Sequence, residues 1–153
     1  MPRVESSIII NAPRERVIAV ARDNASFPEF MADVKSLVVT ETSPDGLRVV
    51  SDWVGIVQKF GITVRWTEED VWDLEKGTCT FRQLKGDYDE FAGVWAFTAE
   101  TPTTTRFDSY LNYGLEIPLV GALVKTLVHK IIQSNLDSTL TAIKARSESG
   151  NAE

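Results

Sequence analysis

The sequence predicts an α+β fold in which a curved antiparallel sheet of about seven strands wraps a long C-terminal helix. One strand and two short helices come first, and six segments with alternating polar and apolar residues follow them. The chain then ends in a long stretch with apolar residues at helical spacing. Because one face of such a sheet meets water and the other needs cover, only the last helix is long enough to supply that cover.

The N-terminal part predicts a strand followed by two helices. Val4–Ile10 is rich in β-branched residues, which favour an extended backbone. Asn11 can then cap a helix, and Pro13 suits the first turn of that helix. A second short helix is predicted over Ser26–Met31, where two phenylalanines and a methionine would form the buried side.

Six segments in the middle of the chain predict the strands of an antiparallel meander. They are Val34–Thr42, Leu47–Gln58, Ile62–Leu74, Thr78–Leu84, Glu90–Ala99 and Thr104–Leu115. The breaks between them are short and rich in Gly, Pro, Asp and Lys, and glycine, proline and aspartate are typical of tight turns. Consecutive strands are therefore expected to be neighbours in the sheet.

The final helix is predicted to run from Pro118 to about Ala145. Its apolar positions form a stripe that is expected to pack on the sheet: Val120, Leu123, Val124, Leu127, Ile131 and Leu140. Asn135 falls one turn after Ile131 on the same side. The C-terminal residues are polar, so we expect a single domain over residues 1–147 and a frayed tail over 148–153.

The composition excludes several classes of partner. The chain has 153 residues, with 16 Lys and Arg against 22 Asp and Glu, a net charge of −6 and a pI near 4.9. Nucleic acids and anionic membranes attract clustered positive charge, so neither is expected as a partner. No clean apolar run reaches the roughly 20 residues of a membrane span, so stable membrane insertion is not expected. We expect a monomer or a homodimer.

Residues of reactive types give no sign of a metal or a cofactor. Cys79 is the only cysteine, so no internal disulfide can form, which favours a cytoplasmic location. His129 is the only histidine and lies off the apolar stripe, which is typical of a surface residue. No glycine-rich phosphate-binding loop occurs. We therefore predict no metal site and no cofactor.

The segment ITVRWTEEDVWDL, residues 62–74, carries two acids among tryptophans. In a strand, Trp66, Glu68, Asp70 and Trp72 share one face, because alternate side chains point to opposite sides. If this face is the inner one, two carboxylates line an aromatic interior. Such a pair could act as acid and base, with one of the two pKa values raised.

The hairpin after this segment decides where those acids point, and two registers are possible. With Asp73 opposite Thr78, Arg82 faces water and the acids face inward. With Leu74 opposite Thr78, Asp70 pairs with Arg82 on the outer face and the acids are surface residues. The first register is favoured because it leaves the arginine in water and turns a phenylalanine inward.

The next hairpin extends the inner face, because it can set Trp95 opposite Ser109 and two phenylalanines opposite each other. The residues predicted to bind a ligand are Trp66, Trp72, Phe81, Gln83, Trp95, Ser109, Leu111, Tyr113, Leu127, Ile131 and Asn135. A dry core does not keep unpartnered carboxylates, which cost several kcal/mol or take up protons. A solvated cavity is therefore expected.

Two stretches resemble a known superfamily. The run SSIIINAPRERVIAVARDNASFPEFMADV is similar to the opening of START-like (SRPBCC, Bet v 1-like) proteins, in particular the polyketide cyclase/dehydrase and coenzyme Q-binding-type branch. The run KGDYDEFAGVWAF is similar to a later stretch of the same family. The resemblance covers nearly the whole chain and implies a helix-grip fold, in which the sheet grips the last helix around a cavity for an apolar or aromatic ligand.

The resemblance also implies which functional groups this chain lacks. Tetracenomycin-type aromatase/cyclases place an arginine, a tyrosine and a glutamine where Asp70, Val34 and Leu111 stand here. We therefore expect a protein that binds a hydrophobic small molecule, namely a lipid, an isoprenoid or a polyketide-like compound. The alternative is a polyketide cyclase, aromatase or dehydratase with Asp70 or Glu68 as catalytic base. The loop 59–61, the loop near Gly86 and the helix start at 118–119 are expected to form the entrance.

Overall fold

A computed structural model describes residues 2–57, 61–114 and 122–149, with the side chains of 57, 62 and 122–125 left out. Its helices are α1 (Arg14–Arg22), α2 (Phe27–Phe30), which a 3-10 turn (Asn24–Ser26) precedes, and α3 (Ala122–Ser149). Its strands are β1 (Arg3–Ile10), β2 (Val34–Thr42), β3 (Arg48–Val57), β4 (Ile62–Asp73), β5 (Thr78–Gly86), β6 (Glu90–Thr101) and β7 (Thr104–Gly114). The order of elements is the predicted one.

The seven strands form one antiparallel sheet in the order β1-β7-β6-β5-β4-β3-β2. β1 closes the meander by pairing with β7, so β1 and β2 are the two edges. The long helix α3 packs against β1 and α1 on the inner face. This arrangement confirms the predicted α+β class and the helix-grip fold.

One end of the space between sheet and helix is filled by apolar side chains. Phe97 and Phe107 pack with ring centroids 4.4 Å apart, and Ile143 of α3 and Val17 of α1 are fully buried in the same core. The helix α1 can fill this end because its apolar residues recur at helical spacing. We call this region the dry end.

The register of the β4–β5 hairpin is the favoured one, since Asp73 pairs with Thr78. Gly77 adopts a φ of +71°, which glycine tolerates best, and so ends the turn. On the outer face Glu69 bonds Arg48 at 2.7 Å and Arg82 at 2.9 Å. The β6–β7 hairpin also has the predicted register, with Trp95 opposite Ser109 and Phe97 opposite Phe107.

Two element boundaries differ from the prediction. Pro13, not Asn11, is the N-cap residue of α1, and no side chain caps this helix. The helix α3 continues to Ser149, because Glu148 accepts hydrogen bonds from Lys144 Nζ at 2.6 Å and from the backbone N–H of Asn11 at 2.8 Å. Residues 148 and 149 of the predicted tail are thus helical.

Some predictions fall on parts of the chain outside the described residues. They concern the entrance segments 59–60 and 118–119, position 120 of the predicted stripe, the side chains at 123 and 124 of the same stripe, and tail residues 150–153. Among the helices that the structure describes, none combines the length and the apolar character needed to cross a bilayer.

Candidate functional site

A cavity lies between the sheet and α3, at the end away from the filled core. The space open to the centre of a water molecule there is about 130 Å³. Its walls come from α2, from strands β2 to β7 and from α3. The lining residues are Phe27, Met31, Asp33, Val34, Trp53, Gly55, Ile56, Val64, Trp66, Glu68, Asp70, Cys79, Phe81, Tyr88, Phe91, Trp95, Leu111, Ile132, Asn135, Leu136 and Thr139.

Four aromatic side chains form one wall of the cavity. Cross-strand pairing of β3 with β4 sets Trp53 opposite Trp66, and their rings stack at 5.4 Å with 15° between the planes. The ring of Trp66 also meets Phe91 at 5.3 Å and Tyr88 at 5.6 Å. Aromatic rings in such offset and edge contacts give a rigid apolar surface on which a flat molecule can lie.

Tyr88 is held in this wall by its backbone. The side-chain amide of Gln83 donates to Tyr88 O at 2.8 Å and accepts from Tyr88 N–H at 3.2 Å. Just before it, Gly86 has a φ of +151°, and a Cβ there would lie 2.5 Å from the Cα of Trp66. Only glycine permits this close approach. Burial raises the pKa of Tyr88 to about 12, so its hydroxyl stays protonated at neutral pH.

Two buried carboxyls, Glu68 and Asp70, stand beside this aromatic wall. Their exposed fractions are 6% and 5%. Burial, and then the negative charge of Asp70, raise the pKa of Glu68 well above its usual range. Burial also raises the pKa of Asp70, against the opposing effect of hydrogen bonds from Glu68 and Asn24. Of the two carboxyls, Glu68 is therefore the one that holds a proton more strongly.

The polar partners of the pair come from one tryptophan and one asparagine. Trp66 Nε1 donates to Glu68 Oε1 at 3.0 Å. Asn24, in the 3-10 turn, donates to Asp70 Oδ2 at 3.2 Å. Asp70 Oδ1 is buried without a donor from any described nitrogen or hydroxyl. One carboxylate oxygen in the cavity wall is thus available to a donor, either the Glu68 proton or a ligand.

A second polar group lies where the start of β2 meets α3. With its amide nitrogen turned toward them, Asn135 donates to Asp33 Oδ2 at 3.2 Å and to Ile131 O at 3.3 Å. The carbonyl of Asp33 accepts the backbone N–H of Ile56 at 2.9 Å. Partial burial raises the pKa of Asp33. Asn135 thus ties the helix to the strands at the cavity wall.

Seven of the predicted site residues lie in the cavity wall: Trp66, Glu68, Asp70, Phe81, Trp95, Leu111 and Asn135. Strand alternation brings the first six together, since each occupies an inward position of β4, β5, β6 or β7. A binding or catalytic role for any of them is taken up below as a proposal.

Six other predicted residues lie outside the cavity wall: Trp72, Gln83, Ser109, Tyr113, Leu127 and Ile131. Trp72 stacks on Phe97 in the dry end at 6.1 Å. The hydroxyl of Tyr113 bonds His129 Nδ1 at 2.7 Å. On α3, Ile132 and Leu136 occupy the cavity wall instead of Leu127 and Ile131. Leu140 of the predicted stripe is buried, as expected.

Several residues of the wall were not predicted, and their signals differ. Trp53 belongs to an alternating strand, and its inward position could have been read from the pairing with β4. Tyr88 lies in a short connection, where no periodicity indicates the direction of a side chain. The same is true of Asn24, which bonds Asp70 from the 3-10 turn but does not line the cavity. Phe91 is at the start of β6 and shares the inward parity of Trp95.

The cavity combines an apolar aromatic surface with a cluster of carboxyl side chains. Among the described residues, no Lys, Arg or His contributes to its wall. The thiol of Cys79 also lines it, and burial raises the pKa of this thiol, so it stays neutral and unreactive at neutral pH. No group of three His, Cys, Asp or Glu side chains within the described ranges could hold a metal ion. The site can hold a small molecule by stacking and by hydrogen bonds to carboxyls.

Comparisons with solved structures find the same fold in other proteins. TTHA0849 from Thermus thermophilus is 36% identical, with a TM-score of 0.90 over 97% of this chain and 99% of that one. The Zhui aromatase/cyclase from Streptomyces sp. R1128 is 16% identical, with a TM-score of 0.87 over 96% of this chain and 93% of that one. A START superfamily protein from Mycobacterium smegmatis is 16% identical, with a TM-score of 0.82 over 96% and 97% of the two chains.

Of two sequence comparisons, one gave a match. A comparison with curated proteins gave no match. The family model described as polyketide cyclase / dehydrase and lipid transport matches residues 1–148, which is nearly the whole chain. The chain therefore belongs to the polyketide cyclase / dehydrase and lipid transport family.

Proposed function

We propose that this protein binds a compact aromatic or apolar small molecule in the cavity between the sheet and α3. The observation that carries the proposal is the stacked pair Trp53 and Trp66, with Phe91 and Tyr88 around it, beside open space. The ring surfaces that face the cavity are apolar, so a flat ligand that covers them removes this surface from contact with water.

The volume favours a ring over a long chain. An apolar cavity of about 150 Å³ accommodates a benzene molecule, and the space here is about 130 Å³. An aromatic group buries roughly 150–250 Å², which contributes roughly 4–6 kcal/mol at about 25 cal/mol per Å² before the cost of association. The polar groups of the wall would then fix the orientation of the ligand.

The test measures ligand affinity in a variant whose cavity is filled and in a matched control variant whose cavity is unchanged. Val34 lines the cavity, whereas Val38 of the same strand is 58% exposed. A Val34→Phe variant should lose at least tenfold in affinity for 2-phenylethyl compounds, and Val38→Phe should bind within twofold of wild type. Quenching of tryptophan fluorescence reports binding, because three tryptophans line the cavity. Equal binding by both variants would place the ligand elsewhere.

A second candidate is catalysis of a cyclisation or dehydration, favoured by two neighbouring buried carboxyls, Glu68 and Asp70, whose pKa values are both raised by burial. In such a reaction Asp70 would take a proton from the substrate and Glu68 would return one. Against it, Val34 and Leu111 line the cavity as apolar side chains at positions where the resembling cyclases carry polar groups. Turnover decides between the two candidates, measured as loss of an added polyketide-like compound over time.

A further inference from the structure

The cavity is lined by groups that attract a positive charge. Glu68 and Asp70 lie in its wall, and Asp33 adds a third carboxyl where β2 begins. None of the described residues in the wall carries a positive charge. An anionic ligand would therefore find no counter-charge there, and it would lie against carboxyl oxygens.

The geometry of one atom indicates what the ligand should present. Asp70 is 5% exposed and Oδ2 is occupied by Asn24, whereas Oδ1 has no donor from any described nitrogen or hydroxyl. The proton of the Glu68 carboxyl is the remaining donor to Asp70 among the described residues, and an ammonium group of a ligand can take its place. A charged N–H donor gives the strongest hydrogen bond to a carboxylate.

The aromatic wall favours the same class of ligand. The ring faces of tryptophan and tyrosine carry partial negative charge and attract cations within about 6 Å of the ring centre. Trp66 is both stacked on Trp53 and bonded through its Nε1 to Glu68, so the ring and the carboxyl occupy fixed relative positions. A cationic group at the acids would therefore lie beside the aromatic surface.

We propose that the cavity selects ligands in which a protonated amine is attached to a compact aromatic or apolar body, the amine donating to Asp70 and Glu68. This inference rests on the proposed function, because it assigns a chemical class to the ligand of the same cavity. The ammonium group replaces the Glu68 proton as a donor to Asp70, and the ring packs against Trp66.

Binding of a cation should release the proton that Glu68 holds. The titratable groups that the charge of the acid pair reaches are the Cys79 thiol of β5 and the Tyr88 hydroxyl in the loop after β5. Asp33, which precedes β2, lines the same cavity. The charge of Glu69 on the outer face acts on Asp70, and that of Arg22 in α1 acts on the thiol. The pKa values of the thiol and of the phenol are raised by burial, so both stay neutral at pH 7. A carboxyl is therefore the group that loses the proton.

The experiment is calorimetric titration at pH 7 with three probes that share one body. They are 2-phenylethylamine, which is cationic, 2-phenylethanol, which is neutral, and 3-phenylpropanoate, which is anionic. We expect the amine to bind at least tenfold more tightly than the alcohol, and the carboxylate to bind more weakly than the alcohol. Titration in phosphate and in Tris, which differ in ionisation enthalpy, should show the release of up to one proton with the amine only.

The double variant Glu68→Gln/Asp70→Asn is the matched control, since it keeps the shape of both side chains and removes their charge. In this variant the tenfold preference for the amine over the alcohol should disappear, so the ratio of the two affinities is the readout. If the wild type binds amine and alcohol equally, the inference is overturned while the proposed function stands. If none of the three probes binds, the proposed function is itself overturned and the inference goes with it.

Discussion

The two ends of the sheet's inner face carry the same kinds of residue but fill their space differently. At the dry end, Phe97 and Phe107 are at most 1% exposed and pack ring to ring. At the other end, Trp66, Tyr88 and Phe91 are only half-buried and surround a cavity. Both ends are built from the same strands, so strand alternation alone does not create the difference.

The helices create it. α1 contacts β6, β7 and α3, and its residues Val17 and Ala21 are fully buried at the dry end. Toward the cavity, α3 presents Ile132 and Leu136 across an open space. The acidic residues of β4 lie at the cavity end only. Trp72 of this strand is buried in the filled core, whereas Glu68 and Asp70 line the cavity. Sites form where covering elements leave a sheet face incompletely filled.

The largest expected effect is a loss of stability at the dry end. Truncating Phe107 to alanine in the filled core should cost about 3–5 kcal/mol of unfolding free energy. Phe91→Ala in the cavity wall is the matched truncation, and it should cost less than half as much, because Phe91 is already partly in contact with solvent. Urea denaturation of both variants measures the two values. Equal losses would mean that the cavity end is as tightly packed as the core.

The next effect concerns the charge of the cavity end. Burial raises the pKa of Glu68, so the folded state holds a proton that the unfolded state releases above about pH 4.3. Stability should therefore fall as pH rises from this value to the folded pKa. Glu68→Gln keeps the acceptor for Trp66 Nε1 and removes the titration. Above the folded pKa, its unfolding free energy should therefore exceed that of wild type by about 1.4 kcal/mol for each unit by which the pKa is raised.

Glu69→Gln is the control for that titration, because Glu69 is the next residue but faces the outer side. Hydrogen bonds from Arg82 and Arg48 lower its pKa, so its contribution is present above about pH 4.3 and is lost as pH falls. The variant should be less stable than wild type at pH 7 by less than about 1 kcal/mol, and less so in high salt. Thermal unfolding from pH 4 to 9 measures both variants, and a stability difference of Glu68→Gln that stays constant with pH would contradict the raised pKa of Glu68.

The sequence was sufficient to predict the sheet and the register around the acids. Alternation separated Glu68 and Asp70 from Glu69, and burial preference placed Arg82 outside, which selects one hairpin register. These inferences succeed because a one-residue slip would move every apolar side chain of a strand into water. Gly77 adds the local turn geometry.

The rest of the cavity could not be predicted for two physical reasons. Apolar residues of α3 lie on several faces, so a stripe through Leu127 and Ile131 fits the sequence about as well as the observed one through Ile132 and Leu136. Tyr88 lies in a connection, and its direction depends on the clamp by Gln83, a contact between two residues that no sequence period links. Loop side chains and helix rotation are set by tertiary packing.

The smallest expected effect concerns Ser147, a polar residue of α3 that is buried away from the cavity. Ser147 of α3 is 0% exposed, and its Oγ has no hydrogen-bond partner among the described residues. Unlike Asp70 Oδ1, it does not face the cavity, so no ligand can satisfy it. Ser147→Ala should therefore stabilise the protein by about 0.5–1.5 kcal/mol, part of it from helix propensity.

Ser138→Ala isolates that propensity, because Ser138 is an exposed residue of the same helix. The difference between the two variants in urea denaturation gives the contribution of the buried hydroxyl alone. A gain for Ser147→Ala above that of Ser138→Ala means that the dry end tolerates this hydroxyl at a cost. A loss would mean that the hydroxyl is satisfied. Ser147 Oγ could then no longer serve as a measure of what a buried oxygen without a partner costs, and it would say nothing about Asp70 Oδ1.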